Sequence, residues 1–204
     1  MRRMVSGFGA VLVVALAAGC SAAAKEPAGL TASPTEATAS ATPTPTPTAT
    51  TGVVVEKSDP ALGIVFKDPP VVQGDAADVY NWIATFEKEY WRTMTTNEVS
   101  PAFTVMASAE IQARMQQVAA DNLNVKARIG GVFHATIANI SVDGDIARGT
   151  TCDDYKDVTF SNSAGSDTPE SAGFGENWLI EATLVRGPVA GQWSIQSEKK
   201  LGTC

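Results

Sequence analysis

The chain has 204 residues, 22 of them acidic and 15 basic, for a formal charge of −7. That balance excludes a protein that grips a nucleic-acid backbone or an anionic bilayer face through charge. No internal repeat is present, and the length suits one ordinary domain behind N-terminal segments of different character.

Arg2 and Arg3 precede an apolar stretch from Val11 to Ala18 that ends in small residues, the three-part layout of a bacterial export signal. The apolar core is shorter than the roughly 20 residues a transmembrane helix needs. The run Leu16-Ala17-Ala18-Gly19-Cys20 resembles the lipobox of bacterial lipoproteins. The resemblance implies cleavage of residues 1–19 and fatty acyl chains, such as palmitate, on the thiol and new amino group of Cys20. The membrane is then a partner through those chains, and the body lies on the outer face of the bacterial cytoplasmic membrane, lipid-anchored. Two or more acyl chains hold stably, since each buried methylene contributes about 0.8 kcal/mol. The alternatives are an ordinary secretory signal with an incidental cysteine, or an uncleaved anchor. Losing Arg2 and Arg3 moves the formal charge from −7 to −9.

From Thr31 to Thr51 every residue but Glu36 is Thr, Ala, Pro or Ser. Such a stretch has nothing to bury and cannot offset the entropy of folding. The alternating prolines of Thr42 to Thr48 favour extended polyproline geometry, at about 3.1 Å per residue. Residues 20–52 therefore read as a lipidated cysteine followed by a disordered, low-complexity stalk. It is either an O-glycosylation substrate or a plain spacer.

Residues 53–74 read as an irregular lead-in, with Val53-Val54-Val55 a candidate short strand and Asp59-Pro60 and Pro69-Pro70 as breakers. Asp75 is the expected N-cap of a helix running to about Thr96. Val79, Ile83, Phe86 and Tyr90 form its apolar stripe. Ser100-Pro101 opens a short helix over Ala102 to Met106. Ser108 caps a third helix, in which Ile111, Met115 and Val118 share a face and which closes between Asp121 and Asn124. The period then alternates. Val132 to Val142 is a strand, Asp143-Gly144 a hairpin turn, and Ile146 to about Phe160 the returning strand. Residues 161–176 read as a loop. Trp178, Ile180, Ala182 and Leu184 line one face of the next strand, and after a turn at 187–191 Trp193 and Ile195 begin the last. Helices followed by an antiparallel meander define an α+β domain, with helices on one face of a curved antiparallel sheet.

Tyr90-Trp91, Ile129-Gly130-Gly131 and Gln192-Trp193-Ser194-Ile195 resemble the nuclear transport factor 2-like fold. With Thr151-Cys152-Asp153-Asp154 and the terminal Gly202-Thr203-Cys204, residues 75–204 are similar to uncharacterised actinobacterial lipoproteins that carry this cone-shaped domain behind a Thr/Pro stalk. In enzymes of that fold, isomerases and cyclases place acidic residues and sometimes histidine inside the cone. None of their site motifs is matched here.

With Cys20 given to lipid, Cys152 and Cys204 remain in an oxidising exported setting and are expected to pair. Free thiols are the alternative, and without a Cys-x-x-Cys spacing no redox role is indicated. Asp143-Gly144-Asp145 lacks the later ligands of a calcium loop. Asp153, Asp154 and Asp157 read as a solvated strand end. Asp153 and Asp157 are expected to share one face while Asp154 points away. No metal site and no cofactor are therefore expected. His134, the only histidine, and Glu87 are the candidate bases, with a packed or surface histidine as the plain reading of His134. Trp82 and Trp91 lie half a turn apart around the first helix, so only one is expected in the core.

No phosphate loop, Gly-x-Ser-x-Gly elbow or His-Glu-x-x-His helix occurs, and no reaction is named by the sequence. The leading reading is a non-enzymatic, surface-anchored domain that binds a small apolar ligand or an envelope protein. Ile83, Phe86, Tyr90, Trp178, Ile180 and Trp193 are the candidate pocket lining. The plain alternative is that the same residues fill a solid core and leave no pocket. The alternatives are an isomerase or cyclase using the cone pocket, and a scaffold that forms a homodimer through its exposed sheet face.

Overall fold

In the computed structural model, residues 52–172 and 177–204 are described. The expected signal, the lipidated Cys20 and the stalk through Thr51 lie outside them.

Helix α1 occupies Asp75–Thr96, with Asp75 and Asp78 in its first turn, where acidic side chains favour the positive end of the helix dipole. Its N-cap is Gly74 and not Asp75. Asp75 is already helical, and its carboxylate turns outward to Arg186 Nη2 at 2.7 Å. The helix ends where Asn97 adopts a left-handed conformation and returns its N–H to the Thr93 carbonyl. Helix α2 is the single turn Phe103–Met106. Helix α3, Ala109–Val125, begins as expected at Ser108, whose side chain accepts from the Ile111 N–H.

The sheet contains β1 (Ile64–Phe66), β2 (Arg128–Asp143), β3 (Ile146–Asn162), β4 (Gly165–Asp167), β5 (Trp178–Arg186) and β6 (Trp193–Thr203). Its order is β1-β2-β3-β5-β6, with β4 paired to β3. The sheet is mixed, because β1 runs parallel to β2 with Ile64 opposite Phe133. This corrects the wholly antiparallel expectation. It also places a strand inside the lead-in, at 64–66, while Val53 makes only an isolated bridge to Gln73. The hairpin at Asp143-Gly144 closes with Asp143 opposite Ile146. Residues 161–176 are not all loop, since β4 pairs with the end of β3.

Two irregularities bend the central pair. Between Val132 and His134 the β3 strand carries an extra residue, and between Ala138 and Ser141 the extra residue is on β2. Each bulge adds local twist and curves the sheet. Gly131 sits beside the first at φ 82°, where a Cβ would lie 2.3 Å from the Asp157 carbonyl oxygen.

The helices pack on one face of the curved sheet, around an aromatic core. Trp91 stacks on Phe133 at 5.3 Å between ring centroids, and Phe133 lies 5.0 Å from Tyr155. Both Trp82 and Trp91 are buried, contrary to the expectation that one would be left out. The reason is that α1 is covered on two sides. Trp91 Nε1 donates to Leu62 of the lead-in at 3.0 Å, and Trp82 Nε1 donates to Gly191 of the β5–β6 turn at 2.7 Å.

Cys152 and Cys204 form a disulfide with a sequence separation of 52. It ties the middle of β3 to the last residue of the chain. Among the described residues no helix is long and apolar enough to cross a membrane.

Candidate functional site

A cavity of about 280 Å³ opens between α1, α3 and the strands β3, β5 and β6. Each element contributes by its own period. Phe86, Glu87 and Tyr90 come from α1, and Arg114, Met115 and Val118 repeat the same i, i+1, i+4 spacing on α3. Asp153 and Tyr155 alternate on β3, as Glu198 and Lys200 do on β6, with Ile180 of β5 between them. The volume is at the small end of the range of ligand pockets, and the walls are mostly apolar.

The polar groups are held in three ways. Tyr90 and Tyr155 share a hydrogen bond, hydroxyl to hydroxyl, at 3.1 Å. Arg114 on α3 forms an ion pair with Glu198 of β6, whose side chain is 10% exposed. Glu87 is 4% exposed, and the Thr151 side chain, one alternation before Asp153, lies near enough to pull its carboxyl back down. Asp153 itself is 2% exposed, and its Oδ1 has no hydrogen-bond partner among the described residues. Such an unmatched buried acceptor carries a desolvation cost of about 1–3 kcal/mol.

Burial sets the electrostatics. It pushes the Glu87 carboxyl well above the usual carboxylate range, helped by the negative charges of Asp153 and Glu198. Asp153 is raised in the same way, first by burial and then by Glu198. Glu198 is raised by burial while Arg114 pulls it back. Both phenols are pushed up by burial, so they stay protonated and able to donate. The site therefore offers two acids whose burial favours the protonated form, two phenols and one ion pair. These groups can donate to, or accept from, a polar group on an otherwise apolar guest. They can also exchange a proton with it.

Three of the expected lining residues, Phe86, Tyr90 and Ile180, face the cavity, while Ile83, Trp178 and Trp193 do not line it. Ile83 is buried beside Gly149 in the inner curve of the sheet. Trp193 is fully buried with the Arg186 guanidinium over its ring at 4.3 Å, and Trp178 is covered by the Lys200 ammonium. Of the candidate bases, Glu87 lines the cavity and His134 does not. His134 is on the strand face opposite Phe133, and its Nε2 lies 2.8 Å from Asp157 Oδ2.

The expected pairing of Asp153 with Asp157 is corrected by the first bulge. Val132 faces Asp157 but His134 faces Asp154, so the extra residue shifts the alternation between them. Asp153 keeps the cavity face. Asp154 is held by Lys67 at 3.2 Å, and Asp157 meets His134 on the outer side. Among the described residues no group of His, Cys, Asp or Glu could hold a metal ion.

Arg114, Met115, Val118, Asp153, Tyr155, Glu198 and Lys200 were not anticipated as lining. The alternation of Asp153 with Tyr155 on β3 carried the usable signal.

No protein-family model matches this chain, and no curated protein matches it. Among solved structures, Rv3472, a function-unknown protein from Mycobacterium tuberculosis, is similar over 58% of this chain and 72% of that one. The sequence identity is 19% and the TM-score 0.39.

Proposed function

We propose that this chain is a cell-envelope lipoprotein whose nuclear transport factor 2-like domain binds a small, largely apolar ligand without turning it over. Acyl chains on Cys20 hold it to the outer face of the cytoplasmic membrane, and the Thr/Pro stalk sets the domain away from the bilayer. The observation that carries the reading is the cavity of about 280 Å³ with an unpartnered Asp153 oxygen in its wall. Of the six buried side-chain atoms without a hydrogen-bond partner among the described residues, Asp153 Oδ1 alone belongs to a residue that lines this cavity, where a guest can reach it. Native mass spectra of the mature chain recovered from its own membrane test this. A mass adduct lost on denaturation is expected, and a clean apo-protein mass counts against it.

A second reading has a specific observation behind it. Glu87 and Asp153 line one cavity beside the Tyr90–Tyr155 pair, and burial raises both carboxyls above the usual carboxylate range, the direction that suits a general acid or base. An isomerase or cyclase would use Glu87 as base, with the Tyr90–Tyr155 pair donating to the developing charge. Loss of a turnover in both Glu87→Gln and Asp153→Asn would favour the enzyme. Turnover that survives both substitutions would remove these carboxyls from the chemistry.

A further inference from the structure

We propose that the ligand of the cavity is an apolar amine, with its ammonium seated between Glu87 and Asp153 and its body against Phe86, Met115 and Val118. The inference rests on the reading of the cavity as a ligand site.

Two carboxyl side chains are buried in one small space, at 4% and 2% exposure, and neither forms an ion pair with a described residue. A buried acid is ordinarily paired with a cation or kept neutral by a proton, and no described side chain supplies the cation here. The nearby cations are already engaged. From α3, Arg114 is committed to Glu198, and from β6, Lys200 lies over Trp178. The other groups facing the acids are Tyr90 on α1 and Tyr155 on β3, whose hydroxyls bind each other. The β5 strand presents only the apolar Ile180 to the cavity.

What remains open is the Asp153 Oδ1 acceptor. An ammonium group supplies up to three donors and no acceptor, which suits two carboxylates with spare lone pairs. Phe86 and Tyr90 line the same cavity, so their rings are available for contact with a cation. A carboxylate guest would instead bring a negative charge that neither acid can neutralise, with Arg114 already paired to Glu198.

Without a cation, burial favours a proton on each of the two acids. An arriving ammonium takes the place of such a proton, which leaves to solvent, so the charge inside is conserved. Amine binding is therefore coupled to proton release, and neutral guests of the same shape release none.

The test is titration calorimetry of the full mature chain with 2-phenylethylamine, 2-phenylethanol and 3-phenylpropanoate, each in two buffers of different ionisation enthalpy. The amine is expected to bind at least about tenfold more tightly than the alcohol and to release about one proton per site. In Asp153→Asn the release should fall below half. If the alcohol binds as tightly as the amine, or the wild-type chain releases no proton, the amine is wrong while the cavity reading survives. If none of the three probes binds, the cavity reading itself fails. The proton count on the wild-type chain needs no variant and stands even if Asp153→Asn does not fold.

Discussion

The disulfide gives a prediction whose size follows from the chain's connectivity. Cys152 and Cys204 close a loop with a sequence separation of 52. In the chain-entropy model a loop of that length removes about 14 cal/mol/K from the unfolded state, or about 4 kcal/mol at 25 °C. The double substitution Cys152→Ser with Cys204→Ser should therefore lower the unfolding free energy by up to that amount. Urea unfolding of the oxidised chain and the variant reads this directly. The denaturant slope should also rise, because the freed unfolded chain exposes more surface. The loss should be local as well as global. β6 is an edge strand whose start is anchored by the fully buried Trp193 and Ile195, while Lys200, Leu201 and Thr203 near its end are exposed. Amide exchange should therefore quicken from Lys200 to Thr203 well before it does at Trp193 and Ile195. A loss below about 1 kcal/mol, with an unchanged slope, would refute the idea that this bond restrains the unfolded chain.

Two further predictions concern the backbone and the buried acids. Gly131→Ala should cost more than about 2 kcal/mol, because it adds left-handed strain of about 1–2 kcal/mol to a Cβ placed 2.3 Å from the Asp157 carbonyl. Gly144→Ala, also at positive φ but with open space around its Cβ, should cost only the strain, so equal losses in the two variants would argue against the close contact. Glu87 and Asp153 are raised in the folded state, so above the unfolded carboxylate range the native chain holds protons that the unfolded chain has lost. Stability should thus fall as pH rises from about 4 toward the folded values, by up to about 1.36 kcal/mol per pH unit for each proton. Asp75, held low by Arg186, and Asp154, held low by the Lys156 N–H and Lys67 despite its burial, act with the opposite sign on the acid side. Glu87→Gln and Asp153→Asn should flatten the decline in pH-dependent urea titrations, and an unaltered slope in both variants would show that these acids do not hold the protons.

Much of the framework was legible because each element carried a clean period or a stop signal. The span of α1, the Ser108 cap and the Asp143-Gly144 turn fall where their residues place them. The β1 strand was hidden by its brevity. Ile64 to Phe66 is three residues in a proline-broken segment, and it pairs in parallel with a strand almost seventy positions away. The second buried tryptophan of α1 was hidden because helix geometry fixes only which side a residue faces. It does not reveal that the lead-in and the β5–β6 turn cover both sides.

The site was half visible. Phe86, Tyr90 and Ile180 announced themselves as apolar residues on core-facing stripes, and Glu87 by its place beside one. Arg114 and Glu198 did not, since an isolated charge on a helix or an edge strand ordinarily reads as a solvated face. Their pairing across the mouth depends on how α3 packs against β6, which no local pattern states. Asp157 went astray for a sharper reason. A one-residue bulge moves every later side chain to the other face, and nothing in Asp153-Asp154-Tyr155-Lys156-Asp157 marks it.

Whether the cavity under α1 takes a guest is read by a nitrogen-15 shift titration of the full chain with 2-phenylethylamine. Saturable shifts are expected to cluster on Phe86, Glu87, Tyr90, Val118, Asp153 and Ile180, and to vanish when Val118→Trp blocks the space. Shifts confined to the outer sheet face around His134 and Asp157, or no shifts at all, would contradict the cavity reading.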